Sequence, residues 1–508
     1  MMEVLKFNKT GRWKRKPPNR PLIFFSLSLL FSLFLLFLLF APNKSTPIPL
    51  LSAPDKTLTN PHIQFPQCRT QTQALQRETF LWYAPHSGFS NQLSEFKNAI
   101  LMAAILKRTL IVPPILDHHA VTLGSCPKFR VSSPVELRIA VWNHFLDLIQ
   151  GRRFVSMADI IDISSVASMV QTIDLRDFAS SWCGVNRDVT CMDEQNAQSY
   201  SFDKLKQCGS LISGLVGHVD LCLYALDEDC RTTVWTYQQN DEDGLLDSFQ
   251  PDEKLQKKKN ISYVRRRQDV SKNLGAGSKA ELATVLAWGS LFTAPYKGSE
   301  LFIDIHEAPR DQRIQSLIKK LEFLPFVPEI TNAGKEFAHE TIKAPFLCAQ
   351  LRLLDGQFKN HWKNTFLGLK QKVEYLRQKG SLPISIFVMT DLPEANWTGS
   401  YLGDLTRDSD SFKLHILREG DELVKQTAKE VLGQRHGMKF RAISKGSVGA
   451  SEMKKYCLTQ NLPDILLYIE ETVCSCGSLG FVGTAGSTIA ENIELMRKFG
   501  VCLHQSQT

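Results

Sequence analysis

One pattern occurs twice in this chain and constrains its fold more than any other: an apolar strand, a polar turn, a helix and a second strand. Phe80-Leu81-Trp82-Tyr83-Ala84 reads as a buried strand and Pro85-His86-Ser87-Gly88-Phe89-Ser90 as the turn. A helix is predicted from Asn91, with Leu93, Phe96, Ile100 and Ala104 on one face, and Thr109-Leu110-Ile111-Val112 is the next strand, stopped by Pro113-Pro114. The pattern returns near residue 343. Phe346 to Leu351 is a strand, Gln357 to Lys379 a helix, and Ile384 to Met389 a strand ending at Thr390-Asp391. Asp464 to Val473 then reads as a helix, Gly480 to Gly483 as a short strand and Ser487 to Phe499 as a helix. Units of this kind build parallel sheets covered by helices. The predicted fold class is therefore α/β, with two Rossmann-like domains facing a cleft.

The N-terminal region has a different texture. Leu22 to Ala41 contains no charge and is dominated by Leu and Phe, long enough as a helix to span a bilayer core. Of the net charge of +8, +6 lies in residues 1–21, before that run, which orients the N-terminus to the cytosol. A cleaved signal peptide would have a shorter apolar core and a small-residue cleavage site, which Phe40-Ala41-Pro42-Asn43 does not supply. The expected order is a basic tail (1–21), a transmembrane signal anchor (22–41), a stem (42–77), an N-terminal α/β domain (78–342) and a C-terminal α/β domain (343–508). A single-pass type II protein follows, with the rest of the chain in the secretory lumen. Residues 22–508 carry only about +2, so the charge does not call for a nucleic-acid partner. A polar insertion at 231–280 pairs Asp241-Glu242-Asp243 with Lys257-Lys258-Lys259 and Arg265-Arg266-Arg267, a solvated stretch of opposing charges.

Cysteine usage agrees with a lumenal setting. All 12 Cys lie beyond the apolar run, and Cys183, Cys191, Cys208, Cys222 and Cys230 crowd together as local staples. Asn260 and Asn396 head glycosylation sequons. No paired C-x2-C elements are present, and no metal site is expected. The competing pattern is Asp227-Glu228-Asp229, which would suit a metal-dependent glycosyltransferase.

Three polar constellations fall at predicted strand ends. Val482-Gly483-Thr484-Ala485-Gly486-Ser487-Thr488 runs from a strand through small residues into a helix, whose N-terminal amides and hydroxyls suit a phosphate; an ordinary helix cap is the alternative. Arg352 ends its strand and could grip a diphosphate or pair with Asp355. Asp391 ends the next strand, placed to accept from a base or ribose, or to cap a helix. In the first turn, Gly88 allows close backbone approach and Asn91 offers an amide to a sugar or phosphate oxygen, unless it only caps the turn.

Taken together these residues resemble the GDP-fucose protein O-fucosyltransferases, and more narrowly the large plant O-fucosyltransferase family. His86 to Pro114 is similar to the first motif; Leu351-Arg352, Thr390-Asp391 and Val482 to Thr488 follow in the family's order. The resemblance covers roughly residues 80–500 and implies a two-domain GT-B fold with nucleotide-sugar binding in the C-terminal domain, inverting, metal-independent transfer of fucose from GDP-fucose, and a Golgi or ER signal anchor with the catalytic part lumenal. Carried over, Asn91 would contact the donor near the sugar or diphosphate, Arg352 the β-phosphate, Asp391 the nucleoside, and Ser487 with Thr488 the diphosphate. No cofactor is implied beyond the donor substrate; the partners are a sugar nucleotide and a glycoprotein or polysaccharide acceptor. Gln350 stands where the family often has His, and Ser87 where some relatives have an acidic base, so no base carries over. His86 is the candidate base by chemistry alone. The alternatives are a rhamnosyl or other deoxysugar transferase acting on a cell-wall polysaccharide, and a non-catalytic membrane-tethered sugar-nucleotide-binding protein.

Overall fold

The computed structural model describes residues 78–117, 132–185, 199–212, 214, 222–226, 233–235, 263–265, 274–291, 312–354, 358, 362–380, 382–438, 462 and 464–503. All of them belong to one compact unit, Phe65–Thr508. The basic tail, the apolar run 22–41, the stem, Asp227-Glu228-Asp229 and Asn260 lie outside the described residues. Among the described residues, no helix is long and apolar enough to cross a membrane.

The first sheet holds β1 (Phe80–Trp82), β2 (Thr109–Val112), β3 (Thr172–Asp174), β4 (Leu223–Ala225) and β7 (Val285–Ala287) in the order β3-β2-β1-β7-β4. Its strand pairs are all parallel. Within the polar insertion, β5 (Thr233–Trp235) and β6 (Tyr263–Arg265) form a separate parallel pair. The second sheet, in the order β10-β9-β8-β11, holds β8 (Phe346–Leu351), β9 (Ile384–Thr390), β10 (Phe412–His415) and β11 (Gly480–Gly483), again parallel. The two α/β units predicted from periodicity are thus present, one on each side of residue 343.

Helices cover both faces, as parallel strands require. They include α1 (Phe89–Leu106), α2 (Pro134–Gln150), α3 (Leu175–Cys183), α4 (Pro328–Glu336), α5 (Trp362–Gln378), α6 (Tyr401–Arg407), α7 (Glu422–Gln434), α8 (Ile465–Ser475) and α9 (Thr488–Lys498). Strand alternation sorts the core. Leu81 of β1 and Leu110 and Val112 of β2 face one apolar cluster, while Phe80, Trp82 and Ile111 face another. In the second sheet Phe346, Cys348, Phe387 and Met389 join the first of those clusters, and Leu347, Ala349, Ile386 and Val388 point into a third. The shared cluster is therefore continuous from α1 to α8 and α9, and it packs the two sheets into one body. The Phe89 ring at the start of α1 lies 4.5 Å from that of Tyr468 in the first turn of α8.

Disulfides reinforce this plan. Cys348 of β8 is bonded to Cys474 of α8, Cys476 to Cys502, and Cys183 of α3 to Cys208. The last is a local staple of the kind the crowded cysteines predicted.

Candidate active site

The carboxyl ends of β8, β9 and β11 meet at Arg352. Its backbone N–H donates to Thr484 Oγ1 at 2.9 Å, tying the end of β8 to the turn after β11. The Asp391 carboxylate, at the end of β9, accepts from Leu353 N at 2.7 Å and Leu354 N at 3.0 Å. The chain carrying the guanidinium is thus pinned from both sides, and the guanidinium carbon lies 5.4 Å over the Phe358 ring. Asp391 shapes the turn rather than capping a helix. Gln350, where the family often has His, uses its side-chain oxygen to accept from Thr484 N at 3.1 Å. It adds a second tie between the same two strands.

The turn after β11 is shaped by its glycines. Gly486 sits at φ +75°, where a side chain would be strained. A Cβ on Gly483 would stand 2.7 Å from the Ala490 Cβ, so glycine lets α9 pack hard against the strand. Ser487 is the N-cap of α9, yet its side chain makes no capping bond. The residue is 1% exposed and its Oγ has no hydrogen-bond partner. A buried hydroxyl left unpaired costs about 1–3 kcal/mol. At a helix N-terminus carrying positive dipole charge, an anion's oxygens would remove that cost. Thr488 follows, half-buried, in the first turn. Behind α9, Glu471 of α8 is fully buried; one carboxylate oxygen accepts from Asn492 Nδ2 at 2.5 Å and the other has no partner. Burial pushes its pKa up to about 8.

The first turn is organised differently. Gly88 is the N-cap of α1 with φ −68°, and the residue in the left-handed region is Ser87, at φ +67°. The helix starts at Phe89, two residues before the predicted start. His86 is fully buried. Its Nδ1 lies 2.9 Å from Ser87 Oγ and its Nε2 2.9 Å from Ser290 Oγ. Glu95, fully buried on α1, accepts from His86 N at 3.1 Å, Ser290 Oγ at 3.2 Å and Leu291 N at 3.3 Å. Burial drives the Glu95 pKa well above the ordinary carboxylate value, against the pull of these donors. Gln92 clamps the same loop, donating to Ser87 O and Leu116 O and accepting from Leu116 N. Asn91 is half-buried, and its Oδ1 is a buried acceptor without a partner.

The predicted residues thus form two groups. Arg352, Asp391, Ser487 and Thr488 gather around the ends of the second sheet, and His86, Gly88 and Asn91 at the end of β1. Phe89 on Tyr468 joins the two. Sequence reasoning missed Glu95, Ser290 and Thr484. For Glu95 a signal existed, an acid set between Leu93 and Phe96 on the apolar face of a predicted helix. Asn396 is exposed on a single 3-10 turn, accessible to glycosylation. A cavity of about 420 Å³ lies beyond the β9 turn, lined by Glu394, Trp397 and Thr398 together with Leu414 and Ile416 of β10.

Comparison with known proteins shows the family. Residues 80–386 match the model of the GDP-fucose protein O-fucosyltransferase family. The chain is 62% identical over 444 residues to O-fucosyltransferase 30 of Arabidopsis thaliana, covering 87% of each protein. Among solved structures it aligns with POFUT1 in complex with GDP-fucose at 13% identity and a TM-score of 0.37, covering 85% of this chain and 96% of that one. It also aligns with the fucosyltransferase NodZ from Bradyrhizobium at 12% identity and a TM-score of 0.33, covering 82% and 92%. Both structural likenesses are distant. The chain belongs to the GDP-fucose protein O-fucosyltransferase family and is a glycosyltransferase.

Proposed function

We propose that the protein transfers fucose from GDP-fucose to a hydroxyl of a protein or glycan acceptor in the secretory pathway, by an inverting displacement on a GT-B scaffold that needs no metal. The observation that carries this reading is the buried, unpartnered Ser487 hydroxyl at the N-terminus of α9, joined through Thr484 to the strand end that bears Arg352. Breaking the sugar–phosphate bond develops negative charge on the departing diphosphate. Arg352 would take the β-phosphate, and Ser487 and Thr488, with the helix amides, the neighbouring oxygens. Preorganised donors of this kind stabilise a leaving group without a cation. Asp391 holds the Arg352 turn through two backbone amides and would accept from the nucleoside. Asn91 Oδ1 would accept from a sugar hydroxyl. Attack by the acceptor from the opposite face of the sugar inverts the anomeric carbon. Residues 22–41 would hold the protein in the Golgi or ER membrane, with residues 78–508 in the lumen.

The reading is tested by GDP release from GDP-fucose with excess chelator present, alongside a panel of other sugar nucleotides. Turnover undiminished by chelator and selective for GDP-fucose is expected. Loss of activity in chelator would refute the metal-free mechanism, and selective turnover of another deoxysugar donor would reassign the substrate. A tethered binding protein would bind the donor without turnover.

A further inference from the structure

One buried acid has no part in the transfer reaction, and it lies behind the helix proposed to take the diphosphate. Helix α8 reads Ile465-Leu466-Leu467-Tyr468-Ile469-Glu470-Glu471-Thr472-Val473, an apolar segment interrupted by two acids. Both acids are buried, Glu471 completely. An apolar residue would fill such a site without the cost of desolvating a carboxyl. Glu471 instead spends one oxygen on Asn492 Nδ2 of α9, at 2.5 Å, and leaves the other without a partner. Asn492 lies five residues beyond Ser487, about 8 Å along the axis of α9. One turn after Glu471, Cys474 is bonded to Cys348 of β8, the strand that leads to Arg352. Helix α8 is thus tied to both elements of the proposed diphosphate site, and the tie to α9 is made by an ionisable group.

We propose that the neutral carboxyl of Glu471 is a positioning group for donor binding: protonated, it holds α9 in place for the diphosphate, and ionised, it sets a negative charge behind that helix N-terminus and opposes the diphosphate. This rests on the donor reading proposed above. The surroundings of Glu471 leave the proton under the control of burial, which raises its pKa to about 8 against the pull of the Asn492 bond. On its own helix it faces Glu470 and Tyr468, both pushed well up by burial first and by Glu471 in addition. On α9, Arg497 donates to the Cys474, Ser475 and Gly477 carbonyls, and Glu491 is exposed. The buried faces of α4 (Ile330, Ala333, Gly334) and α7 (Val424, Thr427, Val431) carry no charge. On α1, Glu95 accepts from His86 N, Ser290 Oγ and Leu291 N, and Lys97 donates to Glu322 O. A buried charge at the separation given above is worth about ten-fold in affinity for an anion. The coupling is reciprocal: bound diphosphate favours the protonated carboxyl, so binding draws a proton from solvent wherever the free protein has lost it.

The test is calorimetric titration of GDP-fucose into the full chain, in two buffers of different ionisation enthalpy, from about pH 7 to about pH 9. Wild-type affinity should fall about five-fold across that range, with net proton uptake on binding. Glu471→Gln keeps an acceptor for Asn492 but has no proton to lose. Its affinity at the upper pH should stay within about two-fold of its own value at the lower pH, because the ionisable charge is gone. Glu471→Met suits an apolar helix face and carries no proton; it serves if the glutamine variant does not fold, and the same flat profile is expected. Lys97, whose pKa burial lowers to about 8, titrates in the same range and is intact in both variants. A five-fold fall retained in the variants would therefore overturn the role of Glu471. A flat wild-type profile without proton uptake would overturn it too, and would leave the donor assignment standing. Failure to bind GDP-fucose at any pH would overturn the donor assignment beneath it.

Discussion

The two strand-to-helix turns of this protein are built from similar residues to opposite ends. At β1–α1, His86, Glu95, Gln92 and Ser290 bond to one another and to backbone, inside the protein. At β11–α9 the capping hydroxyl of Ser487 is buried without a partner. An internally satisfied network holds its geometry with no ligand present. A buried polar atom left unsatisfied raises the energy of the unliganded state. The difference fits a first turn held mainly by its own bonds, with Asn91 Oδ1 as its one unpartnered acceptor named above, and a second turn in which the proposed diphosphate would meet the Ser487 hydroxyl.

Substitutions can break this contrast. Glu95→Ala strips acceptors from two backbone amides and a buried hydroxyl. It should cost about 3–5 kcal/mol of stability in urea unfolding, the largest effect expected. Arg352→Ala should lower kcat/KM for GDP release by about 10²–10³, or about 3–4 kcal/mol, while leaving urea stability nearly unchanged. A stability loss as large as that of Glu95→Ala would mean that the second turn, too, is structural.

Ionisation gives a smaller test on the donor side. Glu471, raised to about 8, is an acid whose folded pKa lies above its unfolded value. Its stabilising contribution is full below the unfolded pKa and is lost as pH rises through about 8, because the unfolded chain releases the proton first. Glu471→Gln should therefore flatten the decline in stability between the ordinary carboxylate range and pH 8. An unchanged slope would place the titrating group elsewhere. The smallest effect belongs to Ser487→Ala. Serine caps ordinarily lose about 0.5–2 kcal/mol of stability on truncation, but this hydroxyl makes no cap bond. Stability should hold or rise by about 1 kcal/mol as the unpaired hydroxyl is removed, while GDP-fucose affinity falls about five-fold, roughly 1 kcal/mol.

The contrast also explains what the sequence disclosed. Strands with clear alternation or apolar runs, β1, β2, β8 and β9, were readable, as were the helices that follow them. The turn after β11 was readable because its small residues and paired hydroxyls have few other uses. The three-residue strands β3, β4 and β7 are too short for a period to register. With β7 unseen, Ser290 could not be placed beside His86. Glycine at 88 is the natural candidate for a left-handed turn, yet the chain puts serine there, at 87. His86 looked like an isolated base because the acid that engages it lies nine residues away on a helix face. The Cys348–Cys474 pair closes a separation of 126 residues that spacing alone does not connect.

The most direct test of the account is calorimetric titration of GDP-fucose, with UDP-sugars as controls, into the wild-type protein and Arg352→Ala. Selective binding of GDP-fucose, weakened at least about ten-fold by loss of the charge-assisted bonds, is the predicted result. Equal binding by the two proteins, or no preference for GDP-fucose over the UDP-sugars, would contradict it.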